Sequence, residues 1–224
     1  MRINKWIAHN ATIGRRRADN LISLGKVSVN DVVAVLGQDV DGSERITING
    51  EAISQISNRP VTILLHKPAG YVSSRDGQGS RTVYDLLPQE YSHLKMAGRL
   101  DKDSTGLVIL SSDGKVIQAL THPTLLKKKV YMLKTAYPLT RDDVNLITTR
   151  GVDIGDNRPS VFSLTVIPNK KNTYRTVLYE GRNRQIRRTV EALGNHVVSL
   201  HRLEIGEYSL HNLAEGNFKQ VVVK

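Results

Sequence analysis

The first 57 residues combine two helical hydrophobic patterns with short alternating segments. Apolar residues recur at helical spacing in 3–8, and a second apolar stripe runs through 15–24 and ends at Gly25, a residue suited to the left-handed conformation that closes a helix. Alternating apolar segments follow at 27–29 and 46–48, separated by the turn-rich sequence DGSER. This pattern predicts two helices and a small sheet.

The rest of the chain is dominated by strand-like patterns. The run 61–65 is continuously apolar, which is typical of a strand buried on both faces. Further strand-like segments lie at 107–110, 131–135, 161–167, 176–179, 197–200 and 220–223, and helical patterns at 115–121, 141–148 and 183–193. Many strands with few helices predict an α+β fold built on a large, mixed and mostly antiparallel sheet with flanking helices.

A polar segment marks the boundary between these two patterns. The sequence SQISNR occupies 54–59 and precedes a proline, which is typical of a linker. We therefore predict a small domain at 1–57, a linker at 58–61 and a larger domain at 62–224.

The net charge of the chain indicates which class of molecule it binds. The 224 residues include 32 Lys and Arg against 21 Asp and Glu, a net charge of +11, which favours nucleic acid or an anionic membrane surface. No run approaches ~18 apolar residues, and the first residues lack the apolar core of a signal peptide. We therefore expect a soluble, cytoplasmic protein that binds nucleic acid.

Several chemistries are excluded by missing residues and motifs. Cysteine is absent, which excludes disulfides, thiolate metal sites and a cysteine nucleophile. Phosphate-binding GxxxxGK[ST], dinucleotide-binding GxGxxG, and the hydrolase motifs HExxH and GxSxG are also absent. The seven histidines are scattered, which favours structural or surface roles over a metal site.

The segment GRLDKDSTG at 98–106 places polar residues directly before a buried strand. Catalytic groups often lie at such edges of rigid elements. Asp101 is flanked by Arg99 and Lys102, and a neighbouring cation favours the ionised carboxylate. On spacing alone, Asp101 and Asp103 fit ordinary turn residues at least as well as catalytic ones.

A second polar segment, YEGRNRQIRR at 179–188, joins a strand to a helix. Asn183 is predicted to cap that helix. Arginines are disfavoured by the helix dipole near an N-terminus, so their concentration here suggests contact with phosphate, although a solvated basic face is the simpler alternative. Basic clusters also lie at 15–17 and at 127–129, the latter beside Tyr131, which could stack on one extruded base or belong to the core.

Taken together, these motifs resemble the bacterial ribosomal RNA pseudouridine synthases of the family named after ribosomal small-subunit pseudouridine synthase A. GRLDKDSTGLVIL is similar to the family signature, and the family's order continues with HKPAGYVSS at 66–74, KVYMLKT at 129–135, YEGRNRQIRRTVEALG at 179–194 and LHRLEIG at 200–206. The first 57 residues, especially GRRRADNLISLGKVSVND, resemble the small RNA-binding domain first described in ribosomal small-subunit protein four.

The resemblance implies roles for individual residues. Asp101 matches the nucleophilic aspartate, and Tyr131 the tyrosine that stacks on the target base and is implicated in deprotonating carbon 5. Arg187 best matches the basic partner of the aspartate, with Arg188 as the alternative register. Further residues are expected to bind RNA or line its pocket: Arg99, Ile186, Arg182, Arg184, Arg188, Arg15, Arg16, Arg17 and Lys26. Thr189 replaces a methionine common in relatives, and we expect this change to affect packing more than chemistry.

The activity implied is isomerisation of a uridine in ribosomal RNA to pseudouridine, with the base flipped out of its strand. This reaction involves neither redox change nor hydrolysis, so we expect no cofactor and no metal. We also expect a monomer whose N-terminal module tethers the RNA. The alternatives are a non-catalytic RNA-binding or ribosome-assembly factor and a synthase acting on tRNA. The target uridine, its ribosomal subunit, and whether the aspartate attacks ribose or base stay open.

Overall fold

The computed structural model describes residues 1–11, 13–54 and 60–222. The chain divides into two compact units, Met1–Arg59 and Pro60–Lys224. Part of the linker predicted at 58–61 lies outside the described residues. Within those residues, no helix has both the length and the apolar character needed to cross a membrane.

The first unit contains the two predicted helices and a small antiparallel sheet. Its elements are α1 (Ile3–Asn10), α2 (Arg15–Ser23), β1 (Val27–Val29), β2 (Val32–Val33), β3 (Ile46–Ile48) and β4 (Glu51–Ala52), with strand order β2-β1-β3-β4. Gly25 has a φ of 65°, and the amides of Gly25 and Lys26 bond to the carbonyls of Ile22 and Leu21, which closes α2 in a Schellman motif. The predicted RNA-binding residues of this unit, Arg15, Arg16, Arg17 and Lys26, are all exposed.

The second unit is built on a nine-stranded sheet. Its strands are β5 (Thr62–Lys67), β6 (Lys95–Met96), β7 (Thr105–Ser111), β8 (Lys129–Thr135), β9 (Ser163–Val166), β10 (Thr173–Leu178), β11 (Val197–Ile205), β12 (Tyr208–Ser209) and β13 (Phe218–Val221). Its α-helices are α3 (Gly114–Thr121), α4 (Arg141–Thr148) and α5 (Gln185–Ala192), with short 3₁₀ helices at Val83–Leu86, Gln89–Tyr91 and Pro123–Leu125. The main strand order is β13-β5-β7-β11-β8-β10-β9, with β6 paired to β7 and β12 to β11.

This sheet confirms the predicted mixed, mostly antiparallel architecture. Among the described pairings of the sheet, β7 with β11 is parallel and the others are antiparallel. Strand β5 is covered on both faces, because Ile63 and Leu65 belong to one hydrophobic cluster and Leu64 to another. Burial on both faces explains why the run 61–65 is continuously apolar.

The parallel junction between β7 and β11 requires a glycine. Gly106 has a φ of 114°, and a Cβ at this position would lie 2.3 Å from the carbonyl oxygen of Arg202. Gly106 pairs with Arg202 on one side and with Lys67 of β5 on the other. The last glycine of GRLDKDSTG therefore allows two basic residues of neighbouring strands to lie next to the loop that carries Asp101.

The predicted start of α5 at Asn183 is wrong. The helix begins at Gln185 and is preceded by Arg184, which adopts a left-handed conformation with a φ of 45° and provides no side-chain cap. The Gln185 side chain instead accepts a hydrogen bond from the Arg182 amide at 3.3 Å. A residue inside the first turn thus takes the place of the expected Asn183 cap.

Candidate active site

A cleft of about 420 Å³ lies in the second unit where the GRLDKDSTG loop, β8, β11 and the segment between β10 and α5 meet. Its lining combines one carboxylate from the loop with several basic and apolar side chains. The predicted site residues that line it are Asp101, Tyr131, Arg187, Arg99, Ile186, Arg182 and Arg184. The fold therefore brings together residues that are up to 88 positions apart in the chain, Arg99 and Arg187.

Lys67 fixes the loop that carries Asp101. This lysine is fully buried, and its Nζ donates to the carbonyls of Ser104 at 2.6 Å, Pro68 at 2.8 Å and Lys102 at 3.3 Å. Burial lowers the pKa of Lys67 to about 8, although Asp103 and Asp101 act in the opposite direction. The buried lysine therefore holds the loop through backbone carbonyls and makes no ion pair with its carboxylates.

Two arginines of the α5 segment approach the carboxylates of this loop. Arg187 is nearly buried, with 7% of its side chain exposed, and its Nε lies 3.7 Å from Asp101 Oδ2 while its Nη1 lies 3.1 Å from Asp103 Oδ2. Arg184 contacts the same carboxylates at 3.5 and 3.6 Å. Asp101 lines the cleft, whereas Asp103 is not among the residues that do.

Arg187 is oriented by uncharged partners as well. Its Nη2 donates to Ser104 Oγ at 3.1 Å and to the carbonyl of Asp103 at 3.4 Å. Its buried Nε has no hydrogen-bond partner among the described residues. The guanidinium is thus held against the loop, with one donor facing Asp101 across a distance that a small movement would close.

Arg188, the alternative partner of the aspartate, turns away from the cleft. Its guanidinium contacts Asp156 at 2.8 Å, and Arg182 contacts the same carboxylate at 3.2 Å. The hydrogen bond from Arg188 is the main cause that lowers the pKa of Asp156. Arg182 also pairs with Glu180 at 3.1 Å. Both arginines are engaged within the protein, and their contact with RNA stays a prediction.

Tyr131 forms one wall of the cleft and is held by a residue that the sequence analysis did not identify. Arg202 is buried, and its Nη1 lies 3.5 Å from the Tyr131 hydroxyl, with the guanidinium 5.9 Å from the ring centre. Arg202 also donates to the carbonyls of Leu107 at 2.8 Å and Arg99 at 3.2 Å. One buried side chain thus connects the tyrosine to the loop of Asp101. An arginine inside the apolar pattern LHRLEIG was the available signal.

The lysine cluster at 127–129 divides between the cleft and the surface. Lys127 and Lys129 line the cleft, and Lys128 pairs with Glu204 at 3.1 Å. Burial and the nearby charge of Arg202 lower the pKa of Lys129, in that order. The positive charge at the cleft therefore comes from both sides, from α5 and from the start of β8.

Thr189 has a polar role that was not expected from its replacement of a methionine. Its fully buried hydroxyl lies 2.8 Å from both Ser160 Oγ and the Gln185 carbonyl. Gln185 Nε2 donates to Ser160 at 3.2 Å and to Glu180 at 2.5 Å. Thr189 therefore belongs to a buried hydrogen-bond network behind the cleft, and the expectation that its replacement of methionine affects packing more than chemistry stays a prediction.

The comparisons with known proteins agree with this arrangement. Residues 61–192 match the model of a family described as RNA pseudouridylate synthase. The chain is 35% identical to ribosomal large subunit pseudouridine synthase B of Bacillus subtilis, over 98% of this chain and 91% of that protein. It is 33% identical to ribosomal small subunit pseudouridine synthase A of Pasteurella multocida, over 99% of this chain and 96% of that protein.

A solved structure extends the similarity to the fold. A crystal structure of a pseudouridylate synthase superposes with a TM-score of 0.71 at 29% identity, and the match covers 99% of this chain and 96% of that one. The family match includes Asp101, Tyr131 and Arg187, which meet in the cleft. The chain belongs to the RNA pseudouridylate synthase family.

Proposed function

We propose that this protein isomerises uridine to pseudouridine in ribosomal RNA, with Asp101 as the nucleophile. The observation that carries the proposal is the position of Asp101 in the cleft that Tyr131 also lines, with the guanidinium groups of Arg184 and Arg187 3.5 and 3.7 Å from its carboxylate. The names of the relatives from Bacillus subtilis and Pasteurella multocida support ribosomal RNA as the substrate class. Because one acts on the large subunit and the other on the small subunit, both are substrates to test.

The reaction breaks the bond between nitrogen 1 of uracil and the ribose, and forms a new bond from carbon 5 to the same ribose carbon. Carbon 5 loses a proton and nitrogen 1 gains one, so atoms and electrons balance without an external reactant. The carboxylate of Asp101 forms a transient covalent bond to the nucleotide and is released when the new bond is complete. Both attack on the ribose and attack on the base are compatible with this role.

The basic residues prepare Asp101 for this step. Arg187 and Arg184 place positive charge 3.7 and 3.5 Å from the Asp101 carboxylate, and a carboxylate reacts as a nucleophile in its charged form. Tyr131 supplies a flat surface for the flipped uracil, and its hydroxyl is the group proposed to remove the proton from carbon 5. Ile186 completes the apolar side of the pocket, and exposed Arg99 holds the nucleotide at its entrance. Base flipping costs a few kcal/mol, which stacking and phosphate contacts offset.

The first unit is proposed to tether the RNA. Arg15, Arg16 and Arg17 begin α2 and are exposed, as is Lys26 just beyond its end. Three consecutive exposed guanidinium groups provide sequence-independent contacts to phosphate. In this proposal the first unit increases affinity and the second carries out the chemistry.

The test uses unmodified transcripts of small- and large-subunit ribosomal RNA labelled with tritium at carbon 5 of uridine. Wild-type protein is expected to release tritium from one of them, and mapping of pseudouridine identifies the site. A transfer RNA transcript serves as the comparison substrate. Release from transfer RNA alone would overturn the ribosomal assignment. No release from any transcript, together with no adduct on RNA containing 5-fluorouridine, would favour a non-catalytic RNA-binding protein.

A further inference from the structure

A second groove, of about 410 Å³, adjoins the active-site cleft. The two share the residues that separate them, which are Leu126, Arg158, Leu178, Tyr179 and Glu180. The groove continues away from Asp101 towards β9 and the end of α4. Its volume lies in the ~300–1,000 Å³ range typical of sites for small ligands. It is large enough for one more unit of a chain that already occupies the cleft.

The walls of this groove are apolar and aromatic. Tyr179 is 54% exposed, and Leu126, which also lines both cavities, is 60% exposed. Phe162 and Val161 line the groove but not the cleft. Among the described residues, Tyr179 has no aromatic or cationic partner on its ring. An exposed, unstacked tyrosine among apolar side chains is suited to a planar base.

A cation stands at the mouth of the groove. The Arg158 side chain is 70% exposed, and its Nη2 pairs with Glu180, which leaves its other donors available. The backbone of this loop is fixed, because Arg182 donates to the carbonyls of Arg158 at 2.7 Å and Pro159 at 3.0 Å. Arg182 and Arg158 also neutralise Glu180. The groove thus combines an aromatic wall with a positive group held by a fixed loop.

We propose that this groove binds the nucleotide next to the target uridine in the same RNA strand. Its base would lie against Tyr179 and Leu126, and its phosphate would contact Arg158. The inference rests on the proposed function, because a flipped uridine in the cleft brings its neighbour to the shared rim. Extrusion of the target also removes a stacking partner from that neighbour, and the tyrosine replaces it.

The experiment uses a synthetic RNA that spans the uridine mapped in ribosomal RNA. Three versions are compared: intact, abasic at the nucleotide before the target, and abasic at the nucleotide after it. Each is tested for Kd and for kcat with wild type, Tyr179→Ala and Tyr179→Phe. Tyr137→Ala is the matched control, because Tyr137 is also more than half exposed but lines neither the cleft nor the groove.

Tyr179→Ala is expected to weaken binding of the intact RNA about tenfold, or ~1.4 kcal/mol. The effect should disappear on one of the two abasic RNAs, and Tyr179→Phe should bind like wild type because it keeps the ring. An equal effect of Tyr179→Ala on all three RNAs, or no effect beyond that of Tyr137→Ala, overturns the inference. An inactive wild type would instead overturn the proposed function.

Discussion

Replacing Arg187 by alanine tests whether burial determines how much each of the two arginines facing the Asp101 loop contributes to stability and activity. Arg187 and Arg184 contact the same two carboxylates at similar distances, from 3.1 to 3.7 Å. They differ in exposure, since 7% of the Arg187 side chain is exposed against 42% of Arg184. Arg184→Ala is therefore a control that removes ion pairs to the same two carboxylates from a more exposed environment.

The expected magnitude follows from that difference. Breaking a fully buried ion pair costs ~3–5 kcal/mol, and an exposed pair contributes at most ~1 kcal/mol. Asp101 and Asp103 are partly exposed, and Arg184 still pairs with both in the Arg187→Ala variant. We therefore expect Arg187→Ala to lower the free energy of unfolding by ~2 kcal/mol, and Arg184→Ala by less than ~1 kcal/mol.

Activity should separate the two variants further. Loss of a fixed charge beside a reacting group typically lowers kcat by ~10²–10³, and we expect this range for Arg187→Ala. Urea unfolding and tritium release measure both effects. A larger loss of stability and rate in Arg184→Ala than in Arg187→Ala would refute the reasoning.

Three further predictions concern Gly106, Lys67 and the basic residues at 15–17. Gly106→Ala should lower stability by ~3 kcal/mol or more in urea unfolding, because its Cβ would meet the Arg202 backbone, whereas Gly114→Ala meets nothing and should change little. Between pH 8 and 10.5, buried Lys67 binds fewer protons in the folded than in the unfolded chain. Its contribution to stability therefore rises with pH, and Lys67→Met should remove that rise when the two unfolding free energies are compared. Glutamines at 15–17 should reduce the slope of log affinity against log salt by ~2, and an unchanged slope would contradict the tether.

The strands of the sheet were predictable where both faces of the strand are apolar. The strands at 61–65 and 107–110 are apolar on both faces, and both are central strands of the sheet. The parallel pairing of β7 with β11 was not predictable, because it joins strands that are distant in sequence and leaves only a glycine as a local sign. The start of α5 was misplaced for a local reason. Gln185 of the first turn bonds to the Arg182 amide, so Asn183 is not needed as the cap.

The site was predictable in its residues more than in its partners. Asp101, Tyr131 and Arg187 were named from motifs, and they line one cleft. Lys67 and Arg202 were missed because each is a single basic residue in an apolar strand. Their partners are mainly backbone carbonyls of distant residues, which leave no trace in the pattern of side chains.

The two aspartates of the GRLDKDSTG loop provide the most direct test of the central claim. Both contact Arg184 and Arg187, but Asp101 lines the cleft and Asp103 does not. Asp101→Asn and Asp103→Asn therefore make the same chemical change at neighbouring positions. The measurement is single-turnover tritium release from the ribosomal RNA transcript that wild type modifies, with RNA affinity determined in parallel.

Asp101→Asn is expected to lower the rate by at least ~10⁴-fold with RNA affinity retained, as for loss of a nucleophile. Asp103→Asn is expected to stay within ~10-fold of wild type, because it loses its ion pairs with Arg184 and Arg187 but no reacting group. Wild-type turnover by Asp101→Asn, or equal losses in the two variants, would contradict the assignment of Asp101 as the nucleophile.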